Sequence, residues 1–120
     1  MFYYVPFTKI LTSIYEVEEI FTSEPGHVVG VIIRAAGNRT YPFYYQNSIS
    51  IADTGATKNF IIQNTKFSVF RTLYTDAAAQ VEQIFIQLDH TVEISHKIEI
   101  EFTIRNLENC TIDGLFIYEK

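Results

Sequence analysis

The chain has 120 residues, of which 48% are hydrophobic and 19% charged, and its formal net charge is −5. This length fits one domain with one core, and the hydrophobic fraction excludes an intrinsically disordered chain. The acidic balance, without a basic cluster, argues against binding to nucleic acid or to an anionic membrane surface. Ten Phe and eight Tyr favour β-sheet.

The start of the chain predicts strands. Residues 1–11 are aromatic and apolar, and Pro6 cannot donate to a ladder, so this segment is an edge strand or an extended arm. Residues 13–21 fit either a helix with a capping box at Ser13 or a strand with alternating side chains. We favour the strand, because the segment has few strong helix formers besides Glu.

The middle of the chain continues in the same way. Residues 27–34 form a β-branched run that predicts a buried strand, in which Gly30 indicates a bulge or a close backbone approach. Residues 41–51 and 60–63 are further predicted strands. Residues 66–75 predict a strand with Phe67, Val69 and Leu73 on one face, interrupted near Arg71.

Residues 76–88 are ambiguous. Asp76 is suited to cap a helix with apolar residues at helical spacing, whereas Ile84, Ile86 and Leu88 alternate as in a strand. We predict a polar loop over 76–81 and then a strand from about residue 83 to 89.

The clearest pattern runs over residues 91–105, where apolar and polar side chains alternate and predict one dry and one wet face. One strand of this length would exceed the usual ~5–6 residues. His96 also occupies an apolar position, so we predict that the segment bends or divides over 95–97. The wet-face residues Glu99 and Glu101 are predicted to be solubilising charges.

Residues 112–118 are the last predicted strand, expected to pair with 98–105 across the intervening loop. Together these elements predict an all-β fold, an antiparallel, jelly-roll-like β-sandwich of about eight strands with at most one or two short helices. We expect residues 1–120 to form a single domain.

Two groups of residues invite a metal interpretation. His90, Glu93 and His96 have suitable side chains, but on one strand the two histidines share a face from which Glu93 points away. Residues 53–57 carry Asp and Thr oxygens, but without the spacing of a calcium loop. We therefore predict no metal site and an ordinary turn after Asp53.

Catalysis has no recognisable motif here. The sequence lacks a GxSxG elbow and a Gly-rich phosphate loop, and the acidic neighbours Glu108 and Asp113 do not activate the single cysteine, Cys110. With one cysteine, no intramolecular disulfide forms. We predict no catalytic residues, no cofactor and no enzymatic activity.

Two aromatic runs indicate a contact surface. Adjacent residues of a strand face opposite ways, so one core face cannot bury all of them, although ordinary sandwich packing is the alternative explanation. Tyrosine suits interfaces because its ring is apolar and its hydroxyl is polar. The interface candidates are Phe2, Tyr3, Tyr4, Tyr41, Phe43, Tyr44 and Tyr45.

In strand count and size, the chain resembles small single-jelly-roll virion proteins, such as vertex, minor capsid or decoration subunits of phages. Segment 98–106, followed by 114–118, looks like a terminal jelly-roll hairpin, and no specific motif carries the resemblance. It implies a non-enzymatic structural protein that contacts copies of itself or other structural subunits. Such a protein would be made in the host cytoplasm and located in the virion.

The alternative is a carbohydrate-binding β-sandwich in which Tyr41, Tyr44 and Tyr45 stack on sugar rings. The absence of Trp and of a secretory signal weakens this alternative. No apolar run reaches the ~20 residues needed to span a bilayer. Outside a virion, we therefore expect a cytoplasmic protein.

Overall fold

Nine β-strands make up most of the computed structural model, which describes residues 1–11, 16–21, 24–36, 47–103 and 110–119. A 3-10 turn at Phe67–Val69 separates the fifth and sixth strands. The strands are β1 (Phe2–Leu11), β2 (Glu16–Phe21), β3 (Gly26–Ala36), β4 (Ser48–Thr54), β5 (Lys58–Lys66), β6 (Arg71–Asp76), β7 (Val81–Val92), β8 (Ile98–Thr103) and β9 (Cys110–Glu119).

The strands form two antiparallel sheets. The five-stranded sheet has the order β1-β9-β3-β7-β6, and the four-stranded sheet has the order β2-β8-β4-β5. The predicted antiparallel β-sandwich is confirmed, with nine strands and, in the described residues, no helix beyond the 3-10 turn. No helix among those residues has the length and apolarity to cross a membrane.

The pairing is nested. With β6 set aside, β1 pairs with β9, β2 with β8, β3 with β7 and β4 with β5, as in one long hairpin whose tip lies between β4 and β5. The hairpin is rolled up, so that β9 also pairs with β3 and β8 also pairs with β4. This is the strand order of a jelly roll, and it leaves β1 at the edge of the five-stranded sheet.

The predicted terminal hairpin is wrong, because β8 and β9 lie in different sheets. Each is an inner strand with two partners: β8 lies between β2 and β4, and β9 lies between β1 and β3. Alternation shows that both segments are strands but does not identify their neighbours. Strand pairing here follows the nested order, so these two strands, although consecutive in the sequence, are not paired.

The long alternating segment divides where the sequence predicted it would. β7 ends at Val92 in one sheet and β8 begins at Ile98 in the other, and Ser95 between them has a left-handed φ of 70°. Val92 and Ile98 are buried, but Ile94 in the connection is 77% exposed. The dry face is therefore interrupted exactly at the crossing, because the chain there leaves one sheet for the other.

The prediction that Phe67, Val69 and Leu73 share one face of a strand over 66–75 is wrong. The 3-10 turn interrupts the segment, so Phe67 is buried while Val69 and Leu73 are exposed. A bulge in β6 between Thr72 and Tyr74 changes the alternation again.

Both ambiguous segments contain strands. The described part of 13–21 is β2, and 76–88 divides into a turn after Asp76 and the long strand β7. The predicted irregularity at Gly30 is confirmed by a register shift between Val28 and Gly30 against both β7 and β9.

The core lies between the sheets and is built from residues of β1, β3, β4, β7, β8 and β9 together with Phe67 of the 3-10 turn. Phe67 and Phe102 stack with ring centroids 6.4 Å apart, and Phe7 packs against Phe116 at 5.1 Å. Gly114 is required beneath the Phe7 ring, because a Cβ at this position would overlap three of the ring atoms. The absence of a side chain on β9 thus makes room for an aromatic side chain on β1.

We expect Gly114→Ala to lower the free energy of unfolding by about 1–3 kcal/mol, because the added methyl group overpacks the core. Urea denaturation measures this loss. Combining it with Phe7→Leu, which removes the ring, should cost less than the sum of the two single changes. Additive losses would contradict a direct contact between Phe7 and residue 114.

Candidate functional site

A buried carboxylate and two imidazoles meet at one end of the sandwich. Asp53 is on β4 and His90 on β7, so their contact joins the two sheets, with Oδ2 of Asp53 2.5 Å from Nε2 of His90. The other carboxylate oxygen, Oδ1, is 2.9 Å from Nδ1 of His96. The two imidazoles therefore contact different oxygens of one carboxylate that is nearly excluded from water, and the contact with His96 lacks hydrogen-bond geometry.

The connection between β7 and β8 carries His96 to this position. The amide N of His96 donates to the carbonyl of Glu93, and the carbonyl of Lys97 accepts from the amide N of Thr54 at 2.9 Å. The His96 ring lies directly against Gly55, where any Cβ would collide with it. The connection is thus fixed to the end of β4 by backbone bonds and by ring packing.

Glu99 corrects the sequence-based picture of a solvated wet face. It is buried on β8 and forms an ion pair with Lys58 on β5. Lys58 also lies over the Phe60 ring, with Nζ 5.1 Å from the ring centroid. Glu101 is only partly buried. The alternating pattern identified the face correctly but not the partner that allows a carboxylate to be buried there.

The cluster of Asp53, His90 and His96 links the two sheets. The structure brings His90 and His96 together, as the metal interpretation required, but their shared partner is Asp53, and Glu93 is exposed. In the described part of the chain, no three metal-ligating side chains are grouped as a metal site. The Asp53 carboxylate therefore contacts both imidazoles.

The interface candidates fall into three groups. Phe2 and Tyr4 are 54% and 57% exposed on β1. Tyr3 is half-buried and stacks on the buried Tyr118, with ring centroids 5.0 Å apart. The remaining four, Tyr41, Phe43, Tyr44 and Tyr45, lie outside the described residues.

β1 presents one continuous exposed stripe, formed by its even-numbered residues Phe2, Tyr4, Pro6, Thr8 and Ile10. Its odd-numbered residues from Tyr3 to Lys9 are at least partly buried. Ile10 is 63% exposed, so large apolar side chains stand at both ends of this stripe. In the described residues, β1 pairs only with β9, which leaves its other edge open.

Two rows of side chains cross the outer face of the five-stranded sheet, as the strand registers show. The polar row consists, from β1 to β6, of Thr8, Asp113, Arg34, Gln83 and Tyr74. The apolar row beside it consists of Pro6, Leu115, Ile32 and Phe85 and ends at Arg71. Sequence reasoning did not find these rows, because each residue comes from a different strand.

Within the polar row, Thr8 donates its hydroxyl to Oδ1 of Asp113 at 2.9 Å. Arg34 approaches the same carboxylate, with 3.5 Å between Nη1 and Oδ2. At the other end of the row, the Tyr74 hydroxyl donates to Asp76 at 3.2 Å. The negative charge of Asp76 is the main cause that raises the pKa of Tyr74 above its ordinary value of 10.0, and this hydrogen bond adds to it.

Comparisons with known proteins give no relative: the chain matches no protein-family model, and neither a curated protein nor a solved structure matches it significantly.

We expect Asp53→Asn to lower the free energy of unfolding by ~1.5–3 kcal/mol, because it removes the charge that the two imidazoles share in a buried setting. Chemical denaturation at neutral pH measures the change.

Asp89→Asn is the matched control. Asp89 also contacts a histidine, with Oδ1 2.6 Å from Nε2 of His27, but its side chain is 85% exposed. Removing an exposed pair should change stability by less than ~1 kcal/mol. Equal losses in the two variants would show that the buried cluster has no special structural role.

We expect Asp76→Asn to lower the pKa of Tyr74 toward its ordinary value, since the main cause of the elevation is removed. Deprotonation of Tyr74 should then begin at a lower pH than in the unmodified chain, as followed by NMR of the labelled ring. Glu93→Gln, which removes an exposed charge near the far end of β7, should leave the titration unchanged. An identical titration in the Asp76 variant would refute this explanation.

Proposed function

We propose that this chain is a non-enzymatic structural subunit that acts through protein–protein contacts along β1. The observation that carries the proposal is the exposed stripe on an open edge strand. Phe2, Tyr4 and Ile10 present large apolar surface there, and β9 is the one strand that pairs with β1 among the described residues.

An open edge strand is a template for another chain, and monomeric proteins usually protect such edges. β1 is ten residues long and carries one proline as a partial block. A partner that packs on the sheet would contact the even-numbered side chains of β1. A partner at the edge would instead form hydrogen bonds with the backbone of β1. Copies of this chain or other structural subunits fit both modes.

The strand order supports a more specific version of the proposal. Jelly rolls occur in viral capsid proteins, as well as in lectins and cupins. We propose that the subunit belongs to a virion and assembles after synthesis in the host cytoplasm. The shared strand order is an argument from architecture, and the function itself resides in the β1 surface.

We expect sedimentation velocity over a series of micromolar concentrations to show a reversible oligomer. The double variant Phe2→Ser/Tyr4→Ser should shift this equilibrium to the monomer, because it removes exposed aromatic side chains from the contact. Its thermal stability should change little, since both side chains are exposed in the single chain.

Ile94→Ser is the matched control, since it also removes an exposed apolar side chain but lies in the connection between β7 and β8. It should leave association unchanged. The proposal would be overturned if the chain stays monomeric at every concentration and also binds none of the candidate structural partners when mixed with them. Equal loss of association in both variants would place the contact elsewhere.

A further inference from the structure

The outer face of the five-stranded sheet holds a depression of about 320 Å³, which lies within the usual size range of small-molecule sites. Its lining comes from the inner parts of both rows, and we call the polar part of this lining the wall and the apolar part the floor. The lining side chains that face outward are Pro6, Thr8, Ile32, Arg34, Gln83, Asp113 and Leu115.

The polar wall offers donors and acceptors side by side. The guanidinium of Arg34 only donates, the carboxylate of Asp113 only accepts, and their nearest atoms are 3.5 Å apart. The Thr8 hydroxyl and the Gln83 amide on either side can do both. A ligand complementary to this wall carries neighbouring groups that each donate and accept, and vicinal hydroxyls have this property.

Charge argues for a neutral ligand. Arg34 and Asp113 offset each other within the depression, and both are roughly half exposed. An anion would approach Asp113 unfavourably and a cation would approach Arg34 unfavourably. Hydroxyl groups gain charge-assisted hydrogen bonds from both residues without adding an uncompensated charge.

The apolar floor and Tyr74, at the end of the polar row, are suited to contact the apolar C–H face of a sugar ring. Leu115, Ile32 and Pro6 provide a surface against which the C–H face of a pyranose ring can pack. Further along the row, Tyr74 is 50% exposed, and its hydroxyl is held by Asp76. An exposed, oriented aromatic ring two strands away from Arg34 suits stacking on a further sugar unit.

We propose that the outer face of the five-stranded sheet binds a neutral carbohydrate chain that runs along the polar row from Thr8 to Tyr74. The lining residues all belong to the described part of the chain, whereas Tyr41, Tyr44 and Tyr45 lie outside it. The depression shares Pro6 and Thr8 with the β1 stripe, but Phe2 and Tyr4, which the assembly test changes, do not line it.

The test is a titration of the isotopically labelled full chain with neutral hexasaccharides built from glucose, mannose, xylose and N-acetylglucosamine. Amide chemical shifts report both affinity and location. We expect at least one of these glycans to shift the amides of residues 32–34, 83 and 113–115 together. Sialyllactose, as an acidic sugar, should bind more weakly.

Asp113→Ala and Arg34→Gln should each weaken binding by about 10- to 100-fold, the equivalent of one hydrogen bond to a charged group. Tyr74→Ala should weaken hexasaccharide binding about tenfold and disaccharide binding less, because stacking engages a distant sugar unit. Asp89→Asn, an exposed acid on the same sheet, and Phe2→Ser/Tyr4→Ser should leave affinity unchanged.

Thermal unfolding of each variant verifies that it is folded, and Arg34→Gln serves if Asp113→Ala is not. The proposal is overturned if no neutral hexasaccharide binds, if the shifts map to another surface, or if only the acidic sugar binds. Loss of oligomerisation with intact sugar binding, or the reverse, separates failure of the assembly proposal from failure of this one.

Discussion

The nested antiparallel pairing of the strands is the constraint on which the rest of the structure depends. Because β9 returns to lie between β1 and β3, the two ends of the described chain are adjacent in one sheet. The same order places β4 and β7 in opposite sheets, where Asp53 and His90 meet at one end of the core. The edge position of β1 and the rows across the outer face follow from this pairing as well.

Two buried carboxylates, Asp53 and Glu99, each contact a cationic or imidazole side chain of another strand. Asp53 joins the two sheets, and the Lys58–Glu99 pair joins β5 to β8, which do not pair with each other. An unpartnered buried carboxylate is costly, so a register that separates these groups is disfavoured. We regard the pairs as a means of fixing how the rolled hairpin closes, a role that buried polar groups have in some proteins.

The two faces of the five-stranded sheet differ in their surroundings. Inward residues such as Phe116 and Tyr118 fill the core, while the residues between them form the rows and the β1 stripe. Packing holds the backbone that positions Arg34, Asp113 and Tyr74. A rigid sheet with side chains from several strands on its outer face is a suitable support for contacts with partners and ligands.

Most strands could be predicted from the residues alone, because alternation over 91–103 and β-branched runs such as 27–34 reflect the twofold period of a strand. It also indicated the division near His96 and the bulge at Gly30. The separation of β8 and β9, the burial of Glu99 and the contacts of Asp53 with two histidines could not be predicted in this way. These outcomes depend on which strands become neighbours, and local periodicity is the same for every choice of partner.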